Sequence, residues 1–282
     1  MQGADAVTTL NVVLTHLAAP AVHEGLRLLE EAAPTARFAV CHVGEPEDFA
    51  GVTHEDRILV EEPTFNGLPY SFQSLSAILG ALHERFVRRD PAVRAVYLFE
   101  YDHLVLRPDF EEALSELAAA TGADFMGKTC LERRGTNWPH YGRFRRDEQL
   151  IAHLRRVSVR EDPTRLYGCL GNGFWITREA LEAYVSVGEH PPCYGELYVP
   201  TLVHHLGFRL VDIDTHSDLY RHVRWDEPFG FEEVVRLKRQ GETFIHPFKH
   251  TEAFDAVRSA PRADVAAMPP QGVEADARRS AR

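Results

Sequence analysis

Short apolar runs alternate with amphipathic stretches along the first half of the chain. Leu10 to Leu14 (LNVVL) is rich in β-branched residues, as a buried strand requires. Val22, Leu26 and Leu29 then recur at helical spacing over 22–33, and Pro34 closes the pattern. Arg37 to Val43 and Arg57 to Val60 read as two further strands. Phe72, Leu75, Leu79, Leu82 and Phe86 fall on one side of a long helix over 71–88, which Asp90-Pro91 ends. Val93 to Phe99 is the next strand, and it delivers Glu100 and Asp102 at its carboxyl end. Strands alternating with helices predict an α/β fold with a mostly parallel central sheet flanked by helices. In such sheets ligands bind beyond the carboxyl ends of the strands, which is where these two acids stand.

The second half is less periodic. A helix begins at Asp109, with Asp109 and Glu112 spaced as a capping box and Phe110, Ala113, Leu114 and Leu117 as its apolar stripe. Asp124 to Met126 reads as a short strand, 127–145 as a long loop crossing the site, and 147–157 as a helix. Asn172 to Ile176 (NGFWI) is strand-like, and Thr177 caps a helix that runs to about Tyr184. A turn over 190–196 leads into a helix from Glu196 to Leu206, and Phe208 to Ile213 is a late strand. Beyond Ser259, Ala, Pro, Asp and Arg dominate, which predicts a disordered tail over 259–282.

Composition narrows the function. Hydrophobic residues make up 44% and charged residues 26% of the 282, as in a soluble globular protein. A formal charge of -11 argues against nucleic acid as a partner. Cys41, Cys130, Cys169 and Cys193 form no CxxC pair, so neither a zinc ribbon nor a disulfide framework is indicated. No run approaches the ~18 apolar residues of a transmembrane segment, and no secretory signal opens the chain. The expected location is cytoplasmic, with peripheral attachment to a membrane left open.

Four constellations carry candidate chemistry. In Glu100-Tyr101-Asp102 the carboxylates at i and i+2 share one side of an extended segment, an arrangement that suits a hard divalent cation. The structural alternative is an arginine pair for Glu100 and a turn cap for Asp102. In FIHPFKH (244–250), His246 follows an apolar pair and could complete a metal's coordination, while Lys249 could meet phosphate oxygens as a point charge. A solvated surface turn is the alternative. In YGCLGNGFWITREA (167–180), Gly168, Gly171 and Gly173 permit close approach of backbone to a ligand, or simply a bend entering a strand. Glu196, in Tyr194-Gly195-Glu196-Leu197, stands near a helix start, where it could act as a general base or merely cap the helix. Lesser signals are Thr15 and His16 after the first strand, Asn66 to Ser71 before the long helix, and an arginine-rich stretch holding Arg133, Arg134, Arg143, Arg145 and Arg146.

Taken in order, these features over about 8–250 resemble the GT-A fold of nucleotide-sugar-dependent glycosyltransferases. The resemblance implies one domain over 1–258, with a Rossmann-like nucleotide-binding half (8–103) and an acceptor-side half (104–258). It places Glu100-Tyr101-Asp102 where the family's DxD motif holds Mn²⁺ or Mg²⁺ on the donor diphosphate, and His246 where a late histidine reaches the metal. It sets Thr15, His16, Tyr101, Gly171, Asn172 and Lys249 against the nucleotide-sugar donor, UDP- or GDP-linked. Glu196 falls where inverting members keep the base that deprotonates a hydroxyl acceptor. Glu stands at the first acid where the family usually has Asp, so Asp102 is the firmer ligand. Two other readings use the same residues: a metal-dependent phosphohydrolase or nucleotidyltransferase acting on a nucleotide sugar, and a non-catalytic binding module.

Overall fold

The computed structural model describes residues 8–61 and 74–262. Strand β1 (Thr8–Thr15) is buried along almost its whole length, and α1 (Ala19–Ala32) starts with Pro20 in its first turn, where a missing N–H costs nothing. β2 (Arg37–His42), a short α2 (Pro46–Ala50) and β3 (Arg57–Leu59) follow. α3 (Ser74–Leu82) loosens into a π-type turn over His83–Val87, so the long regular helix expected through 88 is interrupted. β4 (Val93–Glu100) is the central strand and leads into the two-residue β5 (Leu104–Val105).

α4 (Phe110–Thr121) begins as expected, but Asp109 makes no capping bond. Arg107, two residues upstream, takes the Asp109 carboxylate instead (Nε to Oδ1, 2.8 Å). The expected capping box is therefore absent: a charged guanidinium outcompetes a backbone amide for the same oxygens. β6 (Phe125–Gly127) precedes a stretch that is not the featureless loop expected over 127–145. It contains β7 (Leu131–Glu132) and α5 (Pro139–Phe144), the latter started by a proline and anchored by buried Tyr141 and Phe144. α6 (Glu148–Val157) is capped by Asp147, whose carboxylate accepts from the Leu150 N–H at 2.8 Å. β8 (Tyr167–Gly168), β9 (Gly173–Thr177) and α7 (Arg178–Ser186) follow, with Thr177 as the cap of α7. α8 (Gly195–His205), β10 (Leu210–Asp212) and the four-residue α9 (Ile213–His216) complete the sheet region. α10 (Phe231–Arg239), β11 (Phe244–Ile245) and α11 (Phe254–Ser259) close the described chain.

Seven strands form one sheet in the order β10-β6-β9-β4-β1-β2-β3. All neighbours run parallel except β9, which is antiparallel to both β4 and β6. The expected α/β class with a mostly parallel, helix-flanked sheet is what the chain adopts. Alternation along β1 sends Leu10, Val12 and Leu14 to one face and Val13 to the other. On the first face they pack with α3, α7 and α8 residues such as Leu79, Leu181 and Leu202; on the second, with α1 and α4 residues such as Leu26 and Leu114. Because both faces are covered, β1 and β4 read as continuous apolar runs.

Residues 259–262 dock rather than fray: the Arg262 guanidinium donates to the carbonyls of Glu31 (2.7 Å) and Ala32 (3.2 Å) at the end of α1. The rest of the expected tail, and the 66–71 segment, lie outside the described residues. Among the described residues no helix is long and apolar enough to cross a membrane.

Candidate active site

The parallel strands β1 and β4 end side by side, with Leu14 opposite Glu100, and antiparallel β9 begins at the same edge, with Gly173 opposite Phe99. That edge collects most of the predicted residues. β4 ends at Glu100, and a turn closed by the His103 N–H on the Glu100 carbonyl (2.9 Å) carries Asp102 inward. Asp102 is completely buried, whereas Glu100 is partly exposed. The antiparallel β5–β11 ribbon then returns the chain to this turn. Ile245 pairs with Leu104, and the Phe248 N–H donates to the Asp102 carbonyl at 2.9 Å. His246, one residue beyond β11, is thereby set against both acids.

The His246 Nε2 atom lies 3.4 Å from Glu100 Oε2 and 3.4 Å from Asp102 Oδ1. One oxygen or nitrogen from each of the three residues falls within 4.8 Å of the others. On the far side of the ring, His246 Nδ1 is 2.6 Å from the Arg224 carbonyl, which can only accept. That contact keeps a proton on Nδ1 and turns Nε2 toward the carboxylates, the arrangement in which a metal-binding imidazole is held. Nε2 and Asp102 Oδ1 are buried with no hydrogen bond, and Asp102 Oδ2 has only the Lys249 ammonium. Orphaned buried acceptors of this kind are expensive unless a cation meets them. The donor set, two carboxylates and an imidazole, fits a borderline-hard divalent ion such as Mn²⁺. Residues of this chain thus suit the cation that the sequence implies.

Without an ion, protons and Lys249 do the balancing. Burial opposes protonation of His246, but Asp102 and Glu100 outweigh it and raise its pKa to about 9. Burial would raise the Asp102 pKa, yet His246 and Lys249 together hold it below the usual carboxylate value. Lys249 pairs directly with Asp102 while its side chain stays about half exposed, and its ammonium sits 5.4 Å from the centre of the Tyr101 ring. His16 meets the same tyrosine edge-on, with ring centres 5.3 Å apart. His16, Tyr101 and Lys249 therefore form one exposed-to-partly-buried wall beside the acids. Thr15 does not join it through its hydroxyl, which turns back to accept the Leu17 N–H at 3.1 Å. Asn172 is buried too, and its side chain faces His103 (3.5 Å) rather than the open edge. Its backbone carbonyl does serve the site by accepting the Glu100 N–H at 3.1 Å.

Glu196 reaches the same edge from α8, for a reason written in the sequence. Pro200 has no N–H to give to the carbonyl four residues earlier, that of Glu196. The freed carbonyl accepts the Cys169 N–H at 3.0 Å, tying the first turn of α8 to the glycine-rich bend. The Glu196 carboxylate then accepts the Gly171 N–H at 2.8 Å. A Cβ on residue 171 would lie 2.7 Å from Glu196 Oε1, so glycine there makes room for the carboxylate. Burial raises the Glu196 pKa to about 7, against the Gly171 N–H and the Tyr194 hydroxyl; the negative Glu100 adds to the rise.

Glu196 opens into a cleft of about 530 Å³ lined by Arg133, Trp138, His140, Tyr194 and Trp225, among others. The sequence sets Arg133 in an arginine-rich stretch, open either to an anionic substrate or to solvent. Its guanidinium instead stacks over Trp138 (4.6 Å to the ring centre) and donates to the carbonyls of Thr129 (2.7 Å) and Gly168 (2.9 Å). Arg134, by contrast, pairs with Asp162 and Glu132 on the surface. Behind the acids lies a buried polar chain that sequence reasoning missed. Tyr220 donates to Tyr97 (2.7 Å), and Tyr97 lies 3.0 Å from His103 Nε2. Burial holds His103 well below its usual pKa, so it is a neutral packing group behind the acidic turn. The chain's alternation offered one sign: Tyr97 points to the same face as Phe99, with both rings stacked 4.9 Å apart.

No protein-family model matches the chain, and no curated protein sequence does. Among solved structures, the chain is similar to a mannosyltransferase from Pyrobaculum calidifontis determined with GDP-mannose and Mn²⁺. The identity is 20% and the TM-score 0.39, over 73% of this chain and 54% of that one, so the chain spans about half that protein's length. It is also similar to the galactosyltransferase LgtC with donor and acceptor sugar analogues (12% identity, TM-score 0.42, 88% of this chain and 95% of that one). The Q189E active-site mutant of LgtC is similar at 11% identity and TM-score 0.42, over 88% and 94% of the two chains.

Proposed function

We propose that this chain is a glycosyltransferase that moves a sugar from a nucleoside-diphosphate donor to a hydroxyl acceptor with inversion at the anomeric carbon. The observation that carries the reading is the convergence, at one sheet edge, of a three-residue cation site and a separate carboxylate whose pKa is close to 7. Asp102, Glu100 and His246 would hold a divalent cation, Mn²⁺ or Mg²⁺, whose chemistry when bound is to neutralise charge on the departing diphosphate. Lys249, paired with Asp102 yet half exposed, can turn to a phosphate oxygen as that charge develops. Tyr101 and His16 flank the donor on the β1 side.

The Glu196 carboxylate takes the proton from the acceptor hydroxyl. The freed oxygen lone pair attacks the anomeric carbon, and the bond from that carbon to the diphosphate oxygen breaks, its electrons leaving with the diphosphate. A base with a pKa near 7 is ionised often enough at neutral pH to accept a proton and is basic enough to assist the attack. The Gly171 amide and Tyr194 hydroxyl keep the carboxylate aimed through this step.

Nucleotide recognition is the first consequence to test. UDP or GDP with Mn²⁺ is expected to raise the melting temperature by several degrees, as saturating ligand adds about 3 kcal/mol at a hundred times its Kd. Either diphosphate without metal should do much less. Equal stabilisation with and without Mn²⁺ would contradict the cation's role. Release of diphosphate from a nucleotide sugar at the same rate whatever acceptor is present would turn the reading to a hydrolase.

A further inference from the structure

We infer that the cleft beside Glu196 receives a saccharide acceptor, and that Trp225 is the platform on which one of its sugar rings stacks. This inference rests on the glycosyltransferase reading above and names the acceptor class for it. Trp225 is 76% exposed, by far the most exposed large aromatic among the described residues, and it lines the same cleft as Glu196. An indole left in water costs free energy that a compact protein ordinarily avoids by burial. Here its backbone is not loose. Val223 bridges to His246, the Arg224 N–H donates to the His246 carbonyl at 2.9 Å, and the Arg224 carbonyl accepts from the His246 ring at 2.6 Å. The residue before Trp225 is thus held by a proposed cation ligand on both its amide and its carbonyl. The backbone that leads into Trp225 is therefore tied to the proposed cation site.

Three further rings line the same cleft and pack on one another. His140 and Tyr194 stack with ring centres 3.5 Å apart and planes 10° from parallel, and Trp138 packs against both. Polar groups are interleaved with these rings. Glu196 and Thr129 line the same space, and the buried Arg133 Nε has no hydrogen-bond partner among the described residues. Flat aromatic faces alternating with hydrogen-bonding groups suit a sugar, whose ring presents a C–H face and a rim of hydroxyls. A lipid tail would leave these polar groups unpaired, and the volume of about 530 Å³ is that of a small-molecule site rather than a protein-docking surface.

A printed glycan array probed with the labelled full chain, in the presence of Mn²⁺ and UDP or GDP, tests this. Wild type is expected to bind a set of glycans that share a terminal unit. Trp225→Ala should weaken that binding at least tenfold, and Trp225→Phe should restore part of it, while thermal stabilisation by Mn²⁺ and the diphosphate stays as in wild type. Binding to no glycan overturns the inference, as does equal binding by wild type and Trp225→Ala. Binding of a serine- and threonine-containing peptide in place of glycans overturns it too. If diphosphate stabilisation persists in those cases, the donor-side reading stands and only the acceptor class falls. If wild type shows no diphosphate stabilisation, it is the glycosyltransferase reading itself that has failed.

Discussion

Asp102→Asn is expected to lower metal-dependent sugar transfer by about a thousandfold or more, with the fold intact. The size follows from the several kcal/mol that a bound cation contributes to stabilising a departing diphosphate. Asp102 is the most buried of the three residues proposed to hold the cation, and neither of its carboxylate oxygens reaches solvent. Asparagine keeps the shape but supplies one neutral oxygen, and its amide would face Lys249 and His246, which are both donors. The variant also has a stability signature. The Asp102 pKa is lowered in the fold, so its contribution is present above the ordinary aspartate value and is lost as acid protonates it. Wild type and variant should therefore differ most in melting temperature near neutral pH and converge in acid. A variant with wild-type turnover in Mn²⁺ would remove Asp102 from the reaction.

Glu196→Gln carries the second large effect. Turnover is expected to fall by ~10²–10⁴-fold with little change in diphosphate affinity. In wild type the rate should rise with pH through about 7 and level off, because the carboxylate is the active form. The variant's profile should lose that limb. Stability must move the other way. The Glu196 pKa is raised from an ordinary 4.5 to about 7, so the acid form is the one the fold favours. Its contribution is complete below about 4.5 and is lost as pH rises through about 7. Glutamine removes that loss, so the variant should be the more stable protein at pH 8, by up to about 3 kcal/mol, and no more stable below pH 4.5. A variant less active and also less stable at pH 8 would point to a structural role for Glu196, not to a base.

The parts of this architecture that were legible in the sequence are those set by burial on two faces. β1, β2 and β4 are near-continuous apolar runs because helices cover both sides of the sheet. The acids at the end of β4 and the histidine after β11 were legible for the same reason, since each follows a run that had to be buried. The direction of β9 was not: GFWIT has the same residues whichever way the strand runs, and only its pairing with β4 and β6 decides. The Asp109 cap was misread because the competing partner, Arg107, lies outside the window in which caps are sought. α5 was hidden in an arginine-rich stretch whose two anchors, Tyr141 and Phe144, are too few to show a period. α10, with Val234, Val235 and Leu237 buried, went unread among charged residues.

The site shows the same division. That Glu196 stands in the first turn of a helix was legible. That its carboxylate is gripped by the Gly171 amide, 25 residues away, was not, although Pro200 four residues on was the available sign. Thr15 and Asn172 were chosen for their positions near strand ends, yet one hydroxyl serves its own turn and the other side chain faces His103. Position along the chain locates the edge of the sheet; which way each polar group turns depends on partners far away in sequence.

A cation held by Glu100, Asp102 and His246 is the central requirement of the proposed reaction. Titration of the protein into Mn²⁺, followed by the electron paramagnetic resonance of the free ion, measures this directly. With UDP or GDP present, wild type is predicted to remove one equivalent of the free-ion signal, and Asp102→Asn to leave it standing. An undiminished signal with wild type, or equal uptake by the variant, would contradict the site.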